Sequence, residues 1–214
     1  MAFRLVTSVL VAMAFASAPA ALACKGREVL FEDKFQEEDS AWDISESEGA
    51  AVTIGGGKLE IKPKEGWSRM VLYGGATFRE GDICVDYIMP ETKEPAVAGM
   101  LFWGASYGSL FSFFVNTLGE AKIVRRQIAQ GTKKVDTSTL TNWTANPAVK
   151  KAPGATNQLR VVLKGNSAST FINDRPFKSF KGVGSYGAQI GLFGWSEKSQ
   201  PTAWQFTSVV VTEP

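Results

Sequence analysis

The strongest fold signal in this chain is the stretch NQLRVVLKGNSASTFINDRPFKSF in its C-terminal half. Leu159, Val161 and Leu163 recur at every second position, which is the period of a half-buried β-strand. Gly165-Asn166 then interrupts the pattern with residues that tolerate positive φ, and Asn173-Asp174 ends a second apolar run in the same way. Strand, turn, strand and turn in so short a stretch predict an antiparallel all-β domain.

Similar short runs continue along most of the chain, whereas helix signals are scarce. The segment Glu120–Gln130 contains helix-forming residues, but Gly119 and Gly131 bracket it closely and its neighbours are predicted strands, so we predict a strand there as well. The segment Trp143–Thr156 is rich in Pro, Ala and Lys and predicts a loop. The other predicted strands cover residues 28–35, 52–54, 58–62, 67–73, 81–89, 99–103, 110–117, 189–195 and 204–211.

This number of short strands predicts two stacked sheets. One open sheet of that size would leave a face and its edges exposed to water, whereas two sheets bury their inner faces against each other. Residues 24–214 show no internal repeat and no shift in composition. We therefore predict a single antiparallel β-sandwich domain.

The first 23 residues have the order of a secretory signal peptide. Arg4 supplies the positive start, Leu5–Phe15 is mostly apolar, and Ala21-Leu22-Ala23 precedes Cys24 as a cleavage site with small residues. The apolar run is too short to span a bilayer, and no later segment is apolar enough to do so. The sequence predicts cleavage after residue 23 and a periplasmic or secreted location.

The chain has two cysteines, Cys24 and Cys84. Export to an oxidising compartment would permit a disulfide between them. Two alternatives stay open at this point. One is lipidation of Cys24, although a bacterial lipoprotein signal prefers Leu where this chain has Ala21, and the other is a pair of free thiols. The disulfide is the favoured prediction.

Several functional classes are excluded by what the sequence lacks. With no histidine, the chain has no His-based general base, no His-assisted serine or cysteine nucleophile and no His-ligated zinc. A formal net charge of +2 and two short lysine pairs, at residues 133–134 and 150–151, provide no basic stripe for nucleic acid. The run Gly55-Gly56-Gly57-Lys58 lacks the spacing of a phosphate-binding loop and predicts a hairpin turn.

Several motifs together resemble a known family. They are FEDKF followed by Trp42, then GGGKLEIKP, REGDICVDYIMP, GMLFW, the LRVVLKG and FIND hairpin, and QIGLFG. In this combination the chain resembles the concanavalin A-like jelly roll, and within it the 3-keto-disaccharide hydrolase-like domains, which are distant relatives of family 16 glycoside hydrolases and laminin-G modules. The resemblance implies a jelly-roll sandwich and a carbohydrate partner. It implies no particular reaction, because this fold carries lectins, glycosidases and adhesion modules alike.

Carboxylates are the remaining catalytic resource. Asp82, Cys84 and Asp86 would point to one side of a strand, with Glu80 just before it. Family 16 glycosidases carry a Glu-x-Asp-x-Glu strand whose outer residues act as nucleophile and acid, and a retaining pair needs carboxyl groups about 5 Å apart. This chain has Cys84 where the final acid should stand. We therefore expect these acids to be solvated or hydrogen-bonded strand residues, and the sequence assigns no catalytic residue.

A calcium site is the only metal site that the composition suggests. The loop residues Glu37, Glu38 and Asp39, followed by Asp43, Glu46 and Glu48, could offer carboxylate oxygens to calcium. Their spacing is not that of an EF-hand loop, so a solvated acidic loop is the favoured interpretation. The sequence predicts no metal ligands and no cofactor.

Aromatic residues suggest where a sugar would bind. Six tryptophans and four tyrosines are many for a domain of this size, and sugars stack their C–H faces on aromatic rings. Alternation places Trp67, Arg69, Val71 and Tyr73 on one face of a strand, and the charge of Arg69 favours that face as the solvent or cleft side. The predicted ligand-binding residues are Trp67, Arg69, Trp103, Tyr107, Asn116, Arg125, Trp195 and Glu197.

Three functional hypotheses follow from the sequence. The favoured one is an exported, non-catalytic domain that binds an oligosaccharide or polysaccharide. The second is a glycoside or 3-keto-glycoside hydrolase or lyase, as the family resemblance implies. The third is an interaction module of the cell envelope that has no sugar ligand.

Overall fold

The computed structural model describes residues 24–45, 47–129, 131–181 and 187–214. The predicted signal peptide lies outside the described residues. Those described form fourteen β-strands, and they contain no helix long and apolar enough to cross a bilayer. In chain order the strands are β1 (Val29–Asp33), β2 (Ala50–Gly55), β3 (Lys58–Pro63), β4 (Ser68–Leu72), β5 (Gly81–Ile88), β6 (Val97–Ser106), β7 (Ser109–Asn116), β8 (Glu120–Ile128), β9 (Val135–Ala145), β10 (Thr156–Lys164), β11 (Ser167–Ile172), β12 (Arg175–Lys181), β13 (Gln189–Trp195) and β14 (Trp204–Thr212).

The strands form two sheets that pack face to face. The eight-stranded sheet has the order β12-β11-β10-β5-β14-β3-β2, and β1 pairs with the second half of β14. The six-stranded sheet has the order β4-β13-β6-β7-β8-β9. Every pairing between these strands is antiparallel. The predicted two-sheet antiparallel sandwich is therefore confirmed.

The hairpins at the C-terminal end of the chain form as their alternation predicts. Leu159, Val161 and Leu163 are fully buried in the core between the sheets. Gly165-Asn166 joins β10 to β11, and the glycine adopts a φ of 55°. Asn173-Asp174 joins β11 to β12 with φ values of 48° and 65°, as a two-residue type I′ turn requires.

The N-terminal segment is fastened to the outside of the eight-stranded sheet. Cys24 and Cys84 form a disulfide, which confirms the favoured prediction. Next to it, Asp82 accepts hydrogen bonds from Nε and Nη2 of Arg160 at 2.7 and 2.8 Å. The backbone N–H of Lys25 also donates to Asp82, at 3.0 Å. A covalent bond and a buried ion pair therefore hold the first described residues against β5.

The predicted loop over Trp143–Thr156 is wrong at its beginning, because β9 continues to Ala145. This strand is the last one in its sheet and most of its residues are exposed. An edge strand with both faces largely in water has no need for alternating apolar residues, so its Thr-rich sequence gives no strand period. The predicted strand over Glu120–Gln130 is confirmed over Glu120–Ile128 as β8, and Gln130 lies outside the described residues.

The predicted solvent face of β4 is also wrong. Val71 is fully buried and Tyr73 is 8% exposed, and both belong to the main core. Met70 and Leu72 point to the other side of the sheet. Arg69 shares the side of Val71, but β4 is the last strand of its sheet, so the guanidinium extends past the edge to Asp43 instead of entering the core.

Candidate functional site

The outer face of the six-stranded sheet is the side that points away from the core, and it is curved inward. Arg126 on β8 and Met70 on β4 lie on this face, with Nη1 of the arginine 3.7 Å from Sδ of the methionine. Three strands, β13, β6 and β7, separate them. In a flat sheet β4 and β8 would lie about 19 Å apart. The sheet must therefore bend so that its outer face is concave.

The middle of this outer face is apolar. Four residues that point away from the main core, Leu72, Leu101, Leu110 and Phe193, form a second buried cluster that we call the apolar floor. Leu101 and Leu110 are fully buried, although none of the described strands forms a second layer over them. The half-buried side chains of Met70, Val97, Phe114 and Trp195 pack against the floor. The floor and its neighbours give the concave face an apolar, partly aromatic surface.

A cavity of about 610 Å³ lies at one end of the apolar floor. Leu72 of the floor and Gln189 line it on one side, and the loop containing Asp43 lines it on the other. Tyr107, in the turn between β6 and β7, also lines the cavity. The cavity is therefore built from a loop, a turn and the ends of two strands of the six-stranded sheet.

Asp43 is the centre of the polar network in this cavity. Its carboxylate accepts hydrogen bonds from Oγ of Ser45 at 2.6 Å and from the hydroxyl of Tyr107. Nη2 of Arg69 lies 3.4 Å from the same carboxylate and 3.1 Å from the backbone carbonyl of Asp43. A carboxylate, a phenol and a guanidinium are thus held together at the cavity, where polar hydroxyl groups of a ligand could reach them.

The Asp43 loop is positioned by the core. Trp42 is 1% exposed, and its indole N–H donates to Asp33 at 2.8 Å. The backbone N–H of Asp43 donates to the carbonyl of Leu72 at 2.9 Å, which fixes the loop to the end of β4. Because the ring before Asp43 is buried, the carboxylate is held at the cavity on a rigid support.

The network shifts the acidity of its members in opposite directions. Burial acts to raise the pKa of Asp43, but hydrogen bonds from Ser45 and Tyr107 and the charge of Arg69 outweigh it, and the pKa lies below its ordinary value of 3.8. Burial, together with the hydrogen bond to Asp43 and its negative charge, raises the pKa of Tyr107 to about 12. At neutral pH the site therefore holds an ionised carboxylate and a protonated phenol.

Three of the predicted ligand-binding residues lie at this site or beside it. Tyr107 is 39% exposed and lines the cavity, and Arg69 contacts it through Asp43. Trp195 lies on the concave face and packs against the apolar floor. Their role in ligand binding stays a prediction.

Trp103 is a wrong prediction, because it lies in the main core and is 1% exposed. Strict alternation would place it opposite Phe102, yet both rings belong to the same core cluster. The cause is an irregularity in β6, where Trp103 has a φ of 48° and the pairing with β7 shifts register between Phe102 and Ser106. The indole N–H donates to the carbonyl of Arg79 at 2.9 Å, so both the ring and its polar group are engaged within the core.

Asn116 and Glu197 have structural partners. Asn116 is 5% exposed, and its side chain binds Glu120 and two backbone N–H groups in the turn between β7 and β8. This corrects its predicted role, because the side chain is buried and its hydrogen bonds hold the turn. The carboxylate of Glu197 accepts the backbone N–H of Lys198 at 2.8 Å. Its loop lies apart from the cavity lining.

Trp67 and Arg125 are placed away from the concave face. The ring of Trp67 covers Gly49, and the side chain is 52% exposed. Arg125 lies on the same side of β8 as the core residue Ile123, and it donates a hydrogen bond to Gln127 at 2.6 Å. Arg126, one residue later, is the arginine that faces outward. Alternation around Ile123 is the signal that could have identified it.

The acids around β5 have structural roles, as the sequence predicted. Asp82 is ion-paired with Arg160, and Glu80 accepts the backbone N–H of Gly165 at 2.8 Å. Asp86 accepts hydrogen bonds from Gln158 and from Ser208, both at 2.9 Å. All of these contacts lie on the eight-stranded sheet, away from the concave face.

The acidic loop does not form a cluster of metal ligands among the described residues. The group there with the spacing of metal ligands is Cys24, Asp82 and Cys84, and its two sulfur atoms are joined in the disulfide. Glu46, one member of the suggested calcium site, lies outside the described residues.

The fold and the concave face define a class of structure, the concanavalin A-like jelly-roll sandwich, which confirms the broader resemblance. A family 16 endo-glucanase from Bacteroides ovatus is 13% identical and superposes with a TM-score of 0.61 over 85% of this chain and 99% of its own. The κ-carrageenase from Pseudoalteromonas carrageenovora is 10% identical, with a TM-score of 0.59 over 92% and 98% of the two chains. The carbohydrate-binding module CBM66 from Bacillus subtilis is 14% identical, with a TM-score of 0.56 over 78% and 94%.

These similarities establish the fold and not a family. The chain matches no protein-family model and no curated protein sequence. The narrower resemblance to 3-keto-disaccharide hydrolase-like domains stays a prediction.

Proposed function

We propose that this chain is an exported carbohydrate-binding domain whose ligand lies on the concave face and enters the cavity at Asp43. The observation that carries the proposal is the network of Asp43, Tyr107 and Arg69 at the end of an apolar floor. Sugar binding needs an apolar surface for the ring faces and a few fixed polar groups for the hydroxyls. Trp195 and Phe114 supply the first requirement, and the network supplies the second.

The structural neighbours support a carbohydrate ligand. The Bacteroides ovatus glucanase and the κ-carrageenase were both solved with bound saccharides, and the Bacillus subtilis neighbour is itself a carbohydrate-binding module. The sandwich fold can therefore present a sugar-binding surface with or without catalysis. Export is supported by the disulfide, since such bonds persist in oxidising compartments. N-terminal sequencing of the exported protein should begin at Cys24.

Affinity electrophoresis through gels that contain soluble polysaccharides tests the binding proposal. The wild-type protein should be retarded by at least one polysaccharide. Asp43→Asn should weaken that retardation about tenfold, and Tyr107→Phe about fivefold, because each removes a hydrogen bond at the cavity. Glu80→Gln, on the other sheet, is the matched control and should bind as the wild type does. Equal binding by all four proteins would contradict the proposed site.

A glycoside or 3-keto-glycoside hydrolase or lyase is the second candidate. It is favoured by one observation, the contact between an ionised carboxylate and a protonated phenol in the cavity, which is a base beside an acid. A retaining glycosidase would also need a second carboxyl group about 5 Å from the first. Asp43 is already held by Arg69 and Tyr107. Incubation with β-glucans and 3-keto-glucosides, followed by assay of the released sugars, distinguishes the two candidates. Release that Asp43→Asn abolishes would establish the enzyme.

A further inference from the structure

Arg126 is a half-buried cation that has no acidic partner among residues 24–45, 47–129, 131–181 and 187–214. It lies on the concave face, directly opposite Leu110 on β7 and Thr137 on β9. Its Nε is buried and has no hydrogen-bond partner in the part of the chain that the structure describes. Its Nη1 contacts the thioether sulfur of Met70, which is a weak acceptor. Among the described residues, no carboxylate forms an ion pair with it.

Of the arginines that the structure describes, the other three that are buried or half-buried each have a polar partner within the chain, and Arg125 donates to the side chain of Gln127. Arg160 is paired with Asp82 through two short hydrogen bonds. Arg69 is paired with Asp43. Removing a guanidinium from water without a counter-charge is costly, so an unpaired one needs a separate explanation. On the concave face, opposite Leu110 of the apolar floor, an anion supplied by a ligand is that explanation.

A second cation, Lys122, lies on the same side of β8. It precedes Arg126 by four residues, so the two side chains share a face of the strand at a spacing of about 13 Å. The ammonium group of Lys122 lies 5.8 Å from the ring centre of Trp143 on β9. Glu120, at the beginning of β8, lies on the same side and accepts a hydrogen bond from the side chain of Asn116, which leaves its negative charge in place. With one carboxylate and two cations, this side of the strand has a net positive charge.

From this arrangement we infer that the concave face binds an acidic saccharide, with Arg126 contacting a carboxylate or sulfate group of the ligand. This inference rests on the proposed function and names its ligand class. A guanidinium donates two parallel hydrogen bonds to such a group, which fixes its orientation as well as its charge. The apolar floor beneath Arg126 would receive the ring face of the same sugar, and Lys122 a further acidic unit along the chain.

Matched pairs of polysaccharides test the inference by isothermal titration calorimetry. Polygalacturonate against its fully methyl-esterified form tests carboxylate recognition, and dextran sulfate against dextran tests sulfate recognition. We expect the acidic member of one pair to bind at least tenfold more tightly than its neutral partner. Arg126→Gln should weaken that binding about tenfold to 100-fold, as the loss of charged hydrogen bonds predicts. Arg175→Gln removes the same charge from an exposed position on the other sheet and should change binding by less than about twofold.

The outcomes separate the inference from the proposed function. If neutral polysaccharides bind as well as acidic ones, or if Arg126→Gln binds the acidic ligand like the wild type, the acidic-ligand inference is wrong and the carbohydrate-binding proposal stands. If no polysaccharide of either kind binds, both are wrong. Because Arg126 is unpaired, Arg126→Gln should also fold with an unchanged or raised melting temperature. A large fall in melting temperature would show that the arginine is a structural residue.

Discussion

The two sheets of this molecule treat their outward-facing polar groups in opposite ways. On the eight-stranded sheet, Asp82 is matched by Arg160, and both oxygens of Asp86 accept side-chain hydrogen bonds. The Cys24–Cys84 disulfide crosses the same surface. A cavity of about 470 Å³ lies there too, but the disulfide and the N-terminal segment form part of its wall. This face is largely neutralised by the chain itself.

The concave face of the six-stranded sheet is left incomplete. Within the described part of the chain, the buried Nε of Arg126 has no hydrogen-bond partner, and neither sheet forms a second layer over the apolar floor. Groups that the chain does not satisfy cost stability, and natural proteins tolerate such costs mainly at functional sites. Under the proposed function, the outer face of the eight-stranded sheet stabilises the fold and the concave face binds the ligand. Each prediction below tests whether stability and binding divide between the faces in this way.

The disulfide should give the largest effect, and on stability alone. The loop that it closes spans 60 residues, for which chain entropy predicts a contribution of about 4 kcal/mol to the free energy of unfolding. The double variant Cys24→Ser with Cys84→Ser should therefore unfold at a much lower urea concentration, measured by tryptophan fluorescence.

The same double variant should still bind polysaccharide at a temperature where it is folded. The disulfide touches the eight-stranded sheet, and nothing in the cavity at Asp43 depends on it. A loss of binding in the folded variant would contradict the division between the faces.

Asp82→Asn should give the next largest loss of stability. Asp82 is 2% exposed, and the substitution removes the charge that accepts the two short hydrogen bonds from the buried Arg160. Arg160 then keeps only the longer contact with Asp174 at 3.7 Å, and breaking a buried pair in this way costs about 3 kcal/mol. Urea denaturation measures the change, and Glu32→Gln, whose ion pair with Lys34 is exposed, should change stability by less than about 1 kcal/mol. If the two variants lost a similar free energy of unfolding, the buried ion pair would stabilise the fold no more than the exposed one does.

The architecture of the eight-stranded sheet was predictable because its information is local. Alternation in β10 and the residues of its turns fix one strand and its hairpin partner without reference to the rest of the molecule. Once most segments are recognised as short strands, two packed sheets are the physical consequence. β9 shows the limit of this reasoning, because an edge strand exposed on both sides has no pattern to detect.

The site was only partly predictable because it depends on where distant segments meet. Asp43 stands in an acidic loop, and nothing near it in sequence indicates Tyr107, which is 64 residues away. Trp103 resembles a ligand-binding tryptophan until the register shift in β6 turns its ring inward. The choice of Arg125 over Arg126 is different, since the alternation around Ile123 was sufficient to decide it.

A comparison of two tryptophans sharpens the location of the ligand. Trp195 packs on the apolar floor, whereas Trp67 lies against Gly49 outside the concave face. Trp195→Ala should weaken polysaccharide binding about tenfold, as expected when a stacking ring is lost. Trp67→Ala should change it by less than about twofold, and affinity electrophoresis measures both. If Trp67→Ala had the larger effect, the ligand would lie at the β4 edge and not on the floor.

The smallest predicted effects are those of pH. We expect the pH dependence of polysaccharide affinity to come from the cavity at Asp43 and that of stability to come from Asp86 on the eight-stranded sheet. Asp43 has a lowered pKa, so its contribution to the network is present above 3.8 and is lost as the pH falls through its folded value. Tyr107 stays protonated until its raised pKa of about 12 is approached. Polysaccharide affinity should therefore be constant between about pH 5 and about pH 9.

Asp86 should behave in the opposite sense on the other sheet. Burial raises its pKa above 3.8, against the hydrogen bonds from Gln158 and Ser208, so ionisation of Asp86 opposes folding. Its favourable contribution is present below pH 3.8 and is lost as the pH rises through the folded pKa. As the pH rises from 3.8 through the folded pKa of Asp86, the wild-type protein should lose stability relative to Asp86→Asn, and urea denaturation at each pH measures this loss. The polysaccharide affinity of the wild type should not change in parallel. A parallel change in both quantities would couple the two sheets and would remove the basis for assigning stability to one and binding to the other.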